Sequence, residues 1–143
     1  MKITRKQAAA SLFGLAAAAS AQAQAVKKHK IVMEMSLAGM DAWKHAVGHI
    51  GVLRNAFKDD VQIEMVCLGE GLAVLQKSDT ELQAQLTKHA EAGVVFAACQ
   101  NSMRLRKVTT QDLLPFAMEV PSGLAEVVLK QEEGYSYLKL SFD

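Results

Sequence analysis

The 143-residue chain has only two cysteines, two prolines and one tryptophan, and aromatic residues make up 6% of it. Two cysteines do not make a disulfide scaffold in a domain of this size, so the core must hold together by burial. Trp43, Tyr135 and Tyr137 are too few and too scattered to form a stacking platform for bases or sugars. Neither sign of charge dominates, with 16 Lys+Arg against 15 Asp+Glu, and a nucleic-acid partner is not expected without a concentrated positive surface. The longest apolar run falls well short of the roughly 20 residues needed to cross a bilayer. No Ser-His-Asp order and no paired-carboxylate arrangement stands out, which leaves hydrolytic chemistry without support.

What the chain does have begins at its first residue. Lys2, Arg5 and Lys6 precede an apolar, alanine-rich run from Ala8 to Ala19 and a small-residue tail, the three-part layout of a secretory signal. Ala21-Gln22-Ala23 and Ala23-Gln24-Ala25 both satisfy the small-x-small rule for cleavage. Residues 1–25 are therefore expected to be a cleaved signal peptide, with the mature protein periplasmic and without a membrane span. Three of the 16 basic residues lie in that segment, leaving 13 against 15 acids, a formal net charge of −2. Residues 26–143 suffice for one compact domain and not for two. An oxidising compartment would let two thiols pair, or would require a reductant to keep one free.

Along that domain, apolar runs alternate with helical periodicity. Lys30–Ser36, Val61–Leu68, Val94–Cys99, Phe116–Val120 and Tyr135–Leu140 read as strands. Between the first two, Asp41 is expected to cap a helix whose apolar positions Trp43, Ala46, Val47, Ile50, Leu53 and Phe57 recur every three or four residues. A short helical stretch is expected at Leu72–Gln76. Ser78-Asp79-Thr80-Glu81 opens a further helix that stops at Gly93. Asn101 and Ser102 begin another, with Met103, Leu105 and Val108 inward, and Pro121-Ser122-Gly123 opens the last, with Leu124, Val127 and Val128 on one face. Apolar strands separated by helices predict a three-layer α/β/α sandwich around a mainly parallel sheet of about five strands. Ligands and reactive groups in such sheets gather at the carboxyl ends of the strands.

Cys99 stands at such an end, where a strand gives way to Gln100-Asn101-Ser102 and a helix start that would favour a thiolate. Arg104, Arg106 and Lys107 follow within two turns and would add positive potential if they turn back. The other reading is a buried structural cysteine. Cys67 closes the preceding strand and is a possible redox partner, provided the two Cα atoms come within roughly 7 Å; the favoured reading is a buried, unpaired thiol. Gly69-Glu70-Gly71-Leu72-Ala73-Val74 resembles half of a dinucleotide fingerprint, but Val74 replaces the third glycine, and a tight strand-to-helix turn explains both glycines. His45 and His49 are four apart on a helix without a third ligand in a known zinc pattern. Met33, Met35, Met40, Met65, Met103 and Met118 could be Cu(I) thioether ligands, but most fall on strands or apolar faces where methionine fills core. No cofactor and no metal site is called for.

Val94-Val95-Phe96-Ala97-Ala98-Cys99-Gln100-Asn101-Ser102-Met103, Thr110-Gln111-Asp112-Leu113-Leu114-Pro115, Val120-Pro121-Ser122-Gly123-Leu124-Ala125-Glu126 and Gln131-Glu132-Glu133-Gly134-Tyr135-Ser136-Tyr137 together resemble the DsrE/DsrF-like family. The resemblance extends to the early strand–helix pair and the Gly69-Glu70-Gly71 turn, and so covers nearly all of residues 26–143. It implies a parallel-sheet domain that assembles as a homotrimer or hexamer and, in sulfur-relay members, a cysteine that carries sulfur as a persulfide. Cys99 matches the place of that cysteine. Gly69, Gly71, Gln100, Asn101, Ser102, Arg104, Pro121 and Ser122 are expected to line its site. The expected activity is sulfur transfer or thiol redox chemistry with a donor or acceptor protein. The alternative is a non-catalytic oligomeric domain that binds a small ligand or copper.

Overall fold

The computed structural model describes residue 27, residues 29–78 and residues 80–140. The expected signal peptide lies outside these residues. Five strands, β1 (His29–Met35), β2 (Val61–Cys67), β3 (Val95–Cys99), β4 (Met118–Val120) and β5 (Ser136–Leu138), form one sheet in the order β4-β3-β2-β1-β5. Every pairing is parallel. Among the described residues the α-helices are α1 (Met40–Phe57), α2 (Glu81–Glu91), α3 (Gln100–Arg106) and α4 (Gly123–Glu132). None of the helices among the described residues is long and apolar enough to cross a membrane.

Alternation along the strands divides the interior in two. Ile31, Met33 and Met35 of β1, Ile63, Met65 and Cys67 of β2, and Phe96 and Ala98 of β3 pack with Ala46, Val47 and Ile50 of α1, Leu82 and Leu86 of α2 and Met103 of α3. This is the larger core. Met33, Met65 and Phe96 are fully buried in it, each burial contributing about 1.5–3 kcal/mol. The other face carries Val32, Val66, Ala97 and Val120, covered by Val127 of α4 and Tyr135 beyond it. The sandwich therefore has three layers as expected, but among the described residues α4 is the one helix in the third.

Local signals explain most boundaries. Thr80 caps α2 by accepting from the Gln83 N–H at 3.3 Å, and Ser122 caps α4 by accepting from the Ala125 N–H at 3.3 Å. The Asp41 cap is corrected: the cap of α1 is Gly39, two residues earlier, and no side chain caps the helix. The stretch expected at Leu72–Gln76 is a 3-10 segment, Gly69–Leu75, tucked beneath the sheet's carboxyl edge with Gly71, Leu72, Val74 and Leu75 buried. Two faces differ from their periodicity. Leu105 is 86% exposed while Met103 is buried, and Leu124 and Val128 are 64% and 53% exposed while Val127 is buried. Short helices lying on a sheet bury a narrow stripe, so apolar spacing alone overstates how much of them faces inward.

Candidate functional site

The parallel register brings Met35, Cys67, Cys99 and Val120 to one edge of the sheet. β3 is Val-Phe-Ala-Ala-Cys, and its alternation sends Phe96 and Ala98 into the larger core and Ala97 and Cys99 toward α4. The small Ala97 lets α4 lie close. At the first residue of that helix, Gly123, a Cβ would sit 3.1 Å from the Cys99 Cβ and 3.2 Å from both the Leu68 Cβ and the Val66 Cγ1. Those contacts would be tighter than ordinary packing, so a side chain there would push the helix start away by a few tenths of an ångström unless its neighbours gave way. The Gly123 N–H thereby donates to the Cys99 sulfur at 3.1 Å.

Cys99 is also the residue that precedes α3, so the first amides of a second helix point at it. Burial pushes the Cys99 thiol's pKa up. The Ser102 hydroxyl and the backbone N–H groups of Gly123, Ser102 and Asn101 donate to the sulfur and together pull the pKa below the ordinary cysteine value. Ser102 is itself fixed: its oxygen accepts from the Gly69 N–H at 2.8 Å, leaving the hydroxyl proton for the sulfur. Gly69 reaches that position with φ at +54°, a left-handed conformation that favours glycine. The result is a cradle of neutral donors that favours a thiolate, on a residue that is 4% exposed.

The expected lining residues separate into those that build this cradle and those that do not. Asn101, Ser102 and Gly69 belong to it. Gly71 supports it by letting the 3-10 segment pass against β1, because a Cβ there would meet the Met35 carbonyl. Pro121 and Ser122 set the start of α4, Ser122 through its cap and through its carbonyl, which accepts from Glu126 at 2.9 Å. Gln100 is engaged elsewhere, donating to the Glu119 carboxylate at 3.0 Å. Arg104 donates to the Asn101 side chain, and Arg106 pairs with Glu70. No cationic side chain contributes to the thiol's lowered pKa, so the expected push from Arg104, Arg106 and Lys107 is replaced by backbone amides and one hydroxyl. Gln100 and Arg104 instead line a cleft of about 380 Å³ with Met103, Val108, Thr110 and Glu119.

Cys67 is corrected as a redox partner. It pairs in register with Ala98, not Cys99, and its side chain lies in the larger core with Met35, Met65 and Leu72. The two sulfurs are on opposite faces of the sheet, and both cysteines are free. Burial pushes the Cys67 thiol strongly up, which keeps it protonated and inert. Met33, Met35 and Met65 are fully buried, and the exposed Met40 and Met118 lie on separate elements. No group of three His, Cys, Asp or Glu side chains among the described residues is placed to hold a metal ion.

The profile of the DsrE/DsrF-like family matches residues 6–140. The chain belongs to that family. DsrE-like membership places it in a family of sulfur-relay type, in keeping with a cysteine at the centre of the site. The fold is similar to that of the protein of unknown function MTH1491 from Methanobacterium thermoautotrophicum, with a TM-score of 0.73 and 26% identity over 78% of this chain and 98% of that one. It is also similar to the ychN protein from E. coli, with a TM-score of 0.61 and 16% identity over 80% of this chain and 99% of that one. None of the curated proteins matches. Within the DsrE-like fold, sequence reasoning placed Gly123 at a helix start near a strand end but missed its amide as the donor that completes the cradle, and it missed Glu64, a buried carboxyl further down the same face. A single acid inside Val-Gln-Ile-Glu-Met-Val-Cys was the available signal for the second.

The cradle makes a direct prediction. Ser102→Ala removes the hydroxyl donor while leaving the backbone donors in place, so the pH midpoint for alkylation of Cys99 by iodoacetamide should move upward, toward the ordinary thiol. An unchanged midpoint would mean that the amides alone hold the thiolate.

Proposed function

We propose that this is an exported, periplasmic DsrE-like protein in which Cys99 takes up and passes on sulfur as a persulfide, or exchanges with a partner's disulfide, within a homo-oligomer. The observation that carries the reading is the cradle: a shielded sulfur receiving the Ser102 hydroxyl and the amides of Asn101, Ser102 and Gly123. In loading, the Cys99 thiolate attacks the terminal sulfur of a donor persulfide, R–S–SH. The new S–S bond forms as the donor's S–S bond breaks, and the donor leaves as its thiolate. In unloading, an acceptor thiolate attacks the terminal sulfur held on Cys99, and Cys99 departs as thiolate. Neither step needs an outside oxidant. A thiol with a lowered pKa serves both directions, since it is ionised for attack and is a good leaving group.

Burial supports the carrier reading in a second way, because a persulfide oxidises readily unless shielded. The donor and acceptor belong to the class of protein or small-molecule thiols and persulfides. Exposed apolar side chains on α1 (Val52), α3 (Leu105) and α4 (Leu124, Val128) supply surface for assembly.

Intact mass measurement of the protein after exposure to a persulfide donor, beside the Cys99→Ser variant, tests the proposal. The expected result is a gain of about 32 Da, one sulfur on the thiol oxidation ladder, in the unaltered protein and none in the variant. Equal gain in both, or no gain in either, rejects Cys99 as the carrier.

A further inference from the structure

The face of the sheet that holds the Cys99 sulfur is thinly covered. Its core is a cluster of six buried residues, and α4 contributes only Gly123 and Val127 as buried residues. Elements held by so few buried contacts open locally at lower cost than the rest of a fold. Beneath α4, in the middle of β2, Glu64 is 2% exposed. Its Oε2 is 3.6 Å from the Lys130 ammonium, and its Oε1 has no hydrogen-bond partner.

The charged groups around it come from every neighbouring element. Lys130 is shared with Glu126 at 3.7 Å and with Glu133 at 3.1 Å. Tyr135, leading into β5, has the Lys130 ammonium 5.4 Å and the Lys30 ammonium of β1 5.5 Å from its ring centre. Lys30 also donates to the Glu133 carbonyl at 3.2 Å. Further along β1, Glu34 accepts from the Tyr137 hydroxyl at 3.4 Å. On β3, the residue in register with Glu64 is the uncharged Val95.

An ionised carboxylate sealed here loses hydration that one shared ammonium at 3.6 Å does not restore. It can recover by taking up a proton, or by α4 lifting to admit water. The same helix begins at the Gly123 amide on the Cys99 sulfur, and Cys99 is 4% exposed. A bulky reagent or a partner protein reaches it only when the helix start moves.

We infer that Glu64 is a proton-operated latch: protonated, it lets α4 close over Cys99, and ionised, it favours the lifted helix that admits a sulfur partner. The inference rests on Cys99 being a reactive thiol. Burial pushes the Glu64 carboxyl up to about 7 in spite of the nearby Lys130, with Glu126 adding to the rise. A lifted helix returns it toward the ordinary 4.5. Opening therefore gains about tenfold per pH unit between those values and levels off above the higher one.

The test compares the rate at which a pyridyl disulfide labels Cys99 in the unaltered protein and in Glu64→Gln, read by peptide mapping from pH 5 to 9. Dividing one rate by the other removes the ionisation of the thiol itself. The ratio should climb roughly forty-fold from pH 5 to 7, about double again by pH 8, and be flat beyond. A second variant, Lys130→Met, takes away the ammonium that favours ionised Glu64 and should carry the flattening to higher pH. Amide exchange in α4 should show the same pH-dependent excess in the unaltered protein and lose it in Glu64→Gln. If Cys99 labels readily with a flat ratio and α4 exchange is alike in both, the latch is wrong and the reactive thiol stands. If Cys99 never labels in the folded protein, both fail.

Discussion

Replacing Gly71 with alanine should destabilise the protein by about 3 kcal/mol or more, at or beyond the upper end for overpacking a well-filled interior. The added Cβ would fall against the Met35 carbonyl oxygen, 2.5 Å from its carbon and 2.8 Å from the Met35 Cγ. A flexible side chain could move aside, but a backbone carbonyl in a central strand cannot. The approach is pinned on both sides, since the Leu68 N–H donates to the Met35 carbonyl at 3.0 Å and the Gly71 N–H donates to the Leu68 carbonyl at 3.0 Å. Against a total stability on the order of 5–15 kcal/mol, such a loss moves a urea midpoint far. Gly48→Ala is the control, because nothing lies within 4 Å of a Cβ there and alanine is the better helix former. A Gly71→Ala midpoint close to that of the control would show that the 3-10 segment can slide away from β1.

The same turn shows how far the sequence could be read. The strands and the three layers were legible because all three inner strands are nearly continuous apolar runs and the helices between them keep their period; the strand order was not. An all-parallel sheet follows from that pattern. Gly69 and Gly71 were legible as a strand-to-helix turn, but their separate tasks were not. One holds a left-handed φ that aims its amide at Ser102, and the other makes room for a carbonyl. Composition cannot distinguish a glycine needed for its backbone angle from one needed for its missing side chain.

Cys99 could be placed at a strand end, but its environment could not be read from neighbours in sequence. Three of its donors come from residues that follow it closely or from their side chains. The other is the amide of Gly123, delivered by a helix that crosses back over the opposite face. The nearby arginines, conspicuous in sequence, turn to Asn101 and Glu70 instead. Cys67 and Cys99 end adjacent strands, which made a pair conceivable. The register sets Cys67 beside Ala98, however, and a one-residue offset in a pleated strand sends a side chain to the other face.

Between pH 4.5 and 7 the protein should lose about 3 kcal/mol of stability through Glu64, an effect that Glu64→Gln should abolish. The sign follows from the direction of the shift. Burial raises the folded-state value to about 7 from an ordinary 4.5, so the folded protein holds the Glu64 proton more tightly than the unfolded chain does. This contribution is complete below the unfolded value, fades as pH rises toward the folded value, and is constant above it. Most carboxylates act the other way, gaining stability with rising pH once they are paired. Asp112 is held below its usual range by the Thr109 amide and hydroxyl. The curve of interest is therefore the difference between the two proteins, measured by urea unfolding at each pH. Glutamine keeps the shape of the protonated carboxyl without its titration, so the variant should match the unaltered protein near pH 4 and surpass it at pH 8. Parallel curves across that range would mean that water already reaches the carboxylate in the closed fold. Curves that diverge as expected would show that the charge beneath α4 is tolerated at a cost to the whole domain.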